Sequence, residues 1–318
     1  MHQSMGVHAR AFFIAMCVEL GLYAVYLLWG LSDGRDVLPM LGRIALIFIG
    51  IRALLVAANF VQTWLARSPA APQHRLNLFT AARLFCNELY AAIRTYPFYF
   101  ALEAWLVPNA PPADLPHCGP PIVLVPGFLC NRGYYGAFRR FLRQHGYGNV
   151  WAVTLQPVFG SIDDNAHALD RHIEQICAAT GADKVVVIGH SMGGVVIRAY
   201  LDKFGGARRI ARAISLGSPF GGTVLAKGPS GLGENLRQMS LGSDWLKELS
   251  AFENQPCPVP FTAIWSPHDS IVAPQTGSRV SETYGQSIAL PGVGHMEMIV
   301  SSQVLREVVT VLDQDADA

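Results

Sequence analysis

The chain has 318 residues, of which 51% are hydrophobic and only 15% charged, and its 24 basic and 23 acidic side chains leave a net charge of +1. A disordered chain has fewer apolar residues and more net charge, and a nucleic-acid binder shows a basic excess or stripe, so both classes are excluded. Soluble domains carry about 25% charged residues, so this shortfall and the mean hydropathy of +0.28 point to a part of the chain that lies in or against lipid.

That part comes first. Residues 11–31 form a run of 21 positions with Glu19 as the sole charge, long enough as a helix to span a hydrocarbon core about 30 Å thick. A polar turn, Ser32 to Asp36, leads to a second run of 23 residues, 44–66, whose one charge is Arg52. The first run is too long for a typical signal-peptide core, lacks an A-x-A-like site and is followed at once by another span, so residues 1–75 read as a two-helix membrane hairpin. Glu19 and Arg52 both fall near mid-membrane in such a hairpin, where a lone charge is costly, and they are expected to pair. Arg10 before the first span and Arg67, Arg75, Arg83 and Arg94 after the second favour cytoplasmic ends, with the turn on the opposite side; Arg43 at the membrane edge blurs the count.

Residues 76–118 form an intermediate segment. From Leu76 the apolar positions recur every three to four residues and predict a helix ending at Pro97, with aromatics clustered around and after it. Two readings stand side by side: an interfacial helix that lays the next domain on the bilayer, or an amphipathic helix packed on that domain. Six prolines between Pro108 and Pro121 then mark a stiff linker. The six cysteines, at 17, 86, 118, 130, 177 and 257, form no CxxC pair, and are expected as reduced thiols rather than metal ligands or staples.

From residue 119 to the end, short β-branched runs alternate with helical stretches. Strands are expected at Ile122–Val125, Val150–Leu155, Lys184–Gly189, Ala211–Gly217, Val259–Trp265 and Ser287–Leu290. Helices are expected at Tyr134–His145, Asn165–Ala179, Met192–Phe204 and Met296–Leu312. Near-continuous apolar strands separated by helices mean a parallel sheet covered on both faces, with its chemistry at the carboxyl ends of the strands.

At one such end stands Gly189-His190-Ser191-Met192-Gly193, a G-x-S-x-G with a four-residue β run before it and Gly194 and a helix after it. The tight turn lifts the Ser191 hydroxyl out of the sheet at a helix N-terminus, where developing negative charge is favoured. Such a serine needs a base and an acid later in the chain. His295, in Pro291-Gly292-Val293-Gly294-His295-Met296, is the one histidine beyond residue 268, and Asp269 follows the strand ending at Trp265. Glu253 and Glu282 lack a strand end to aim them, and His268 is read as a loop histidine. The oxyanion formed by serine attack needs N–H donors. Met192 supplies one, and the loop Pro126-Gly127-Phe128-Leu129-Cys130 supplies Phe128 as the second, with Leu129 as fallback; Asn131 and Arg132 are placed to brace that loop.

At these residues the chain resembles the α/β-hydrolases, and more narrowly the bacterial triacylglycerol lipases and esterases, over about residues 119–312. The likeness rests on Leu124-Val125-Pro126-Gly127-Phe128, on Gly189 to Gly194, on Leu216-Gly217-Ser218-Pro219-Phe220-Gly221-Gly222-Thr223, and on Gln238 to Ser243 followed by Trp245-Leu246. Asp269 and His295 match the family's acid and base. Pro126 replaces the usual histidine of the oxyanion loop, which removes a side-chain contact but no backbone donor. Phe220 replaces the usual histidine after Ser-Pro and puts any calcium-supporting role of that position in doubt. The resemblance implies an α/β-hydrolase fold and hydrolysis of lipid esters; the insertion at 220–258 reads as lid-like or as a packed excursion. No cofactor and no metal, calcium included, are expected. The apolar runs, composition and arginine count set the remaining expectations: two transmembrane helices before that fold, a bacterial inner membrane with the catalytic part cytoplasmic, the bilayer and a lipid ester as partners, and no nucleic acid. The oligomeric state is left open. An acyltransferase on the same triad and a non-catalytic membrane scaffold are the competing functions.

Overall fold

The computed structural model describes residues 6–69, 74–108, 119–226 and 233–314. Helices α1 (Val7–Ser32) and α2 (Val37–Leu65) form the antiparallel hairpin, and both are long and apolar enough to cross a membrane. Helix α2 starts seven residues before the apolar run at Ile44. Asp36 precedes it, and Pro39 falls in its first turn, where a missing N–H costs nothing. Arg43 is therefore inside the helix, where its guanidinium donates to the Tyr26 hydroxyl at 3.2 Å.

Glu19 and Arg52 do pair. The guanidinium donates through Nη1 to Oε1 at 2.8 Å and through Nη2 to Oε2 at 2.6 Å, and Tyr23 adds a third donor to Oε1 at 2.6 Å. This two-pronged geometry is the strongest form of the interaction. It lets each helix keep the one charge of its apolar run, Glu19 in 11–31 and Arg52 in 44–66, while the rest of that run stays apolar.

Helix α3 (Leu78–Arg94) is capped by Asn77, whose side chain accepts from Thr80 N–H at 2.8 Å. It does not stop before Pro97 but widens into a π-helical turn, Thr95–Tyr99, and a short helix α4 (Glu103–Leu106) comes next. The wider turn accommodates a residue that has no N–H to give. The inner face of α3 buries Leu84, Ala91 and Ala92, and Phe100 and Val107 beyond it enter the core. The packed reading of this segment therefore holds over that face, while Phe79, Phe98 and Trp105 are left exposed. Phe12 of α1 packs at a tilt against Phe100 at 5.0 Å between ring centres, and Phe60 of α2 meets Phe85 at 6.2 Å, so the hairpin leans on α3 and on the π-helical turn at its end. The end of α2 is tied to the sheet region as well, Ser68 N–H donating to Gln275 Oε1 at 3.1 Å.

Six strands, β1 (Ile122–Val125), β2 (Val150–Ala152), β3 (Val185–His190), β4 (Ile210–Leu216), β5 (Phe261–Trp265) and β6 (Gln286–Ala289), pair in parallel in the order β2-β1-β3-β4-β5-β6. Alternate residues enter two separate cores, as a pleat requires. Val123, Val125, Val185 and Val187 face α6 (Ile162–Thr180) and α7 (Met192–Lys203). Ile122, Leu124, Val186 and Ile188 face α5 (Gly136–Gln144), α10 (Ser302–Asp313) and the residues arriving from α3. The expected last helix is broken: Met296–Ile299 is a 3₁₀ turn, and α10 starts only at Ser302. The strand order reverses beside β1, so the loops after β1 and β3 flank the point where such sheets bind ligands.

Between β4 and β5 lie the small helices α8 (Glu234–Gln238) and α9 (Asp244–Ser250). Phe220, Met239, Leu246 and Leu249 of this excursion are buried in the core, and Gln238 accepts from Ile162 N–H at 2.6 Å. Phe220, in place of the lipases' histidine, lies beneath the Arg198 guanidinium, 5.3 Å from its ring centre. Among the described residues the five cysteines are free thiols; Cys118 lies outside them.

Candidate active site

Ser191 sits between the last residue of β3 and the first of α7 with φ 56° and ψ −126°. A side-chain-bearing residue rarely adopts that conformation, and where one does the surroundings enforce it. Here Ser191 N–H is held by Leu216 O at 2.9 Å on the next strand. A Cβ on Gly193 would stand 2.2 Å from Val125 O, and one on Gly194 would stand 2.0 Å from Ser218 Oγ. The glycines after the serine are thus what lets helix α7 press against the strand ends and leave Ser191 at its N-terminus.

Asp269 and His295 arrive on the loops after β5 and β6, both 2% exposed. His295 Nδ1 lies 2.9 Å from Asp269 Oδ2, and Asp269 Oδ1 accepts from the N–H groups of Ile271 at 2.8 Å and Val272 at 2.7 Å. Those two donors fix the carboxylate so that its other oxygen faces the imidazole. Burial alone would lower the pKa of His295, but the charge and hydrogen bond of Asp269 outweigh it and raise the pKa above the ordinary value.

The x before the serine carries weight that its place in the motif did not signal. His190 is buried, its Nε2 lies 3.0 Å from the His295 carbonyl oxygen, and the two rings are 4.6 Å apart. Burial, reinforced by the neighbouring His295, pushes its pKa well down. A carbonyl only accepts, so the neutral ring carries its proton on Nε2 and steadies the backbone of the second histidine.

The loop after β1 comes up against the serine. A Cβ on Gly127 would stand 2.9 Å from Ser191 Cβ, so glycine is what brings Phe128 and Leu129 to its side. Leu129 holds φ 57°, a second side-chain-bearing residue in the left-handed region. Met192 opens α7, where helical N–H groups have no intrahelical acceptor. Asn131 and Arg132 brace this loop from below: Asn131 Nδ2 donates to Phe100 O and Arg132 Nε to Val107 O, each at 2.9 Å. Both acceptors belong to the segment after α3, a partnership that sequence spacing does not reveal.

The other acids and the other loop histidine go elsewhere. Glu253 pairs with the buried Arg198 and accepts from Ser281 N–H at 3.0 Å, and Glu282 is exposed. His268 is held by the His74 carbonyl at 2.6 Å and by Gly292 N–H at 2.9 Å. A cavity of about 940 Å³ lies between the end of α2, α3 and the loop after β5, with Phe60, Trp64, Leu84 and His268 among its walls. Asp269 is among the described residues lining it and Ser191 and His295 are not, so it opens beside the loop after β5 rather than over the serine. Among the described residues no three His, Cys, Asp or Glu side chains cluster in a way that could hold a metal ion.

The profile of the alpha/beta hydrolase fold family matches residues 120–238. Among solved structures, the mature form of the Bacillus licheniformis lipase BlEst2 superposes with a TM-score of 0.53 at 18% identity, covering 63% of this chain and 95% of that one. Aspergillus fumigatus lipase B superposes with a TM-score of 0.55 at 16% identity, covering 79% of this chain and 78% of that one. The chain has the α/β-hydrolase fold, and both of these structures that share it are lipases.

Proposed function

We propose that the protein is a membrane-anchored serine hydrolase that cleaves carboxylic ester bonds of lipids through Ser191, His295 and Asp269. The observation that carries this reading is the buried 2.9 Å contact between Asp269 and His295 at the sheet end where Ser191 is held in its strained turn. In the reaction, His295 Nε2 takes the proton of Ser191 Oγ as the oxygen attacks the ester carbonyl. The oxyanion collects the N–H groups of Met192 and Phe128, and one such donor is worth roughly 10²–10³-fold in rate. His295 then returns its proton to the leaving alcohol, and water repeats the sequence on the acyl-enzyme. Asp269 holds the tautomer in which Nδ1 carries the proton and stabilises the imidazolium.

The hairpin of α1 and α2 supplies the anchor. With the arginines at the ends of the spans on the cytoplasmic side, the catalytic part from 119 to 318 lies in the cytoplasm of a bacterial cell, against the inner leaflet from which it draws its substrate. The excursion 220–258 forms a wall of the acyl pocket.

The test is a series of esters of rising acyl length offered to the detergent-purified protein beside Ser191→Ala. Hydrolysis that extends to long-chain acylglycerols and disappears in Ser191→Ala supports the proposal. Activity that survives in Ser191→Ala overturns it, and activity confined to short soluble esters replaces the lipid ester with a small one.

A further inference from the structure

Helix α3 carries a carboxyl that the reaction above does not use. Glu88 is 2% exposed, and it lies on the same inner face as Leu84, Ala91 and Ala92, where an apolar residue would be the cheap solution. Burying a carboxyl is costly unless its oxygens are occupied. They are occupied by the site. Oε1 accepts from Met296 N–H at 2.9 Å and from the Ser270 hydroxyl, and Oε2 accepts from Glu297 N–H at 2.9 Å. The first two N–H groups after His295 therefore end on one side chain, and the same side chain grips the residue after Asp269.

Three further contacts close the arrangement. His295 N–H reaches Ser270 Oγ at 3.4 Å, and Asn87, the neighbour of Glu88, donates to Glu297 Oε1 at 2.9 Å while Glu297 Oε2 accepts from Gly294 N–H at 3.2 Å. A Cβ on Gly294 would stand 2.4 Å from Glu88 Oε2, so the glycine before the base is the space into which the carboxyl fits.

We propose that Glu88 is a positioning residue for His295: its carboxyl group ties the turn that carries the base to the loop that carries the acid, and does so from the helix next to the membrane hairpin. This rests on the triad assignment above. It makes the segment between the spans and the sheet a part of the active site's framework as well as a tether. Displacing a reacting group by about 1 Å costs on the order of 100-fold in rate, which sets the scale expected when the tie is cut.

The experiment uses the full chain in detergent micelles and compares Glu88→Leu, Glu88→Gln and His295→Ala for kcat and KM on a short soluble ester. The rate at which a small fluorophosphonate labels Ser191 and the melting midpoint are read beside them. Glu88→Leu should lower kcat and the labelling rate about 100-fold with KM little changed, at temperatures well below its own melting midpoint. Glu88→Gln keeps the shape and one acceptor oxygen, so it should fall only about tenfold; should Glu88→Leu fail to fold, it decides alone. Wild-type kcat and labelling in Glu88→Gln and in folded Glu88→Leu, beside an inactive His295→Ala, overturn the positioning role and leave the triad standing. A His295→Ala as active as wild type overturns both.

Discussion

Leu54 on α2 and Ile188 on β3 are aliphatic residues of equal size, yet one is 71% exposed and the other fully buried. The same contrast runs through the whole of the two regions. Along α1 and α2 most leucines, isoleucines and valines point outward, and the polar contacts between the helices are those of Glu19 with Arg52, beside Tyr23, and of Arg43 with Tyr26. In the sheet region the aliphatic residues point inward from both faces, and polar side chains gather at the strand ends. A surface as apolar as the hairpin's is stable only against lipid or another apolar surface. On the proposed reading one composition serves two solvents, and the candidate site lies where polar groups are buried and paired.

The largest effect expected on the catalytic side is that of Ser191→Ala, about 10⁶-fold in kcat, measured on any ester that the wild type cleaves. Asp269→Asn should cost about 10⁴-fold, because the imidazole loses the partner that sets its tautomer. The same variant should also shift the pH profile. In the proposed reaction His295 works as a base only when neutral, so kcat/KM should rise with pH through its pKa, which Asp269 holds above the usual 6.5. Without the aspartate that rise should move to lower pH; an unmoved rise would detach Asp269 from the base.

On the hairpin side, Glu19→Leu or Arg52→Leu alone leaves one charge without its partner and should destabilise the membrane form by about 3–5 kcal/mol, read as loss of membrane-inserted protein. Exchanging the two residues should restore most of it, and a double swap as poor as either single change would deny the pair its role. The smallest effects set the two regions side by side. Ile188→Ala should lower stability by about 2–5 kcal/mol through the cavity that it leaves, whereas Leu54→Ala should stay within about 0.5 kcal/mol, as at a site without such a feature. Equal losses in denaturation from micelles would mean that α2 is packed against protein and not lipid.

Much of this was legible in the sequence where a short pattern has one physical solution. The two long apolar helices, the tight turn at Ser191 and the strands around it were visible in chain order, because apolar runs and a G-x-S-x-G between a β run and a helix leave few alternatives. The pairing of Glu19 with Arg52 could be foreseen for the same reason, each being the lone charge of its apolar run. The early start of α2 and the π-helical turn through Pro97 could not, because prolines that usually interrupt a helix were absorbed at its first turn and in a widened one. Glu88 and His190 were missed for a different reason. Each acts on His295 from a distance in sequence, Glu88 from more than 200 positions away, and a glutamate on an amphipathic helix or a variable position in a motif carries no local mark. The glycine at 294 was the one available sign, and it becomes readable only with the carboxyl beside it.

Every functional role assigned to this chain turns on Ser191 as the nucleophile of an ester hydrolase. That role is measured by titrating the reconstituted full chain with a fluorophosphonate, mapping the adduct by peptide mass spectrometry, and following hydrolysis of a vesicle-borne lipid ester in parallel. One adduct per chain is expected, on the peptide containing Ser191, with hydrolysis lost in proportion to labelling. An adduct on another residue, or hydrolysis that continues after Ser191 is fully labelled, would contradict it.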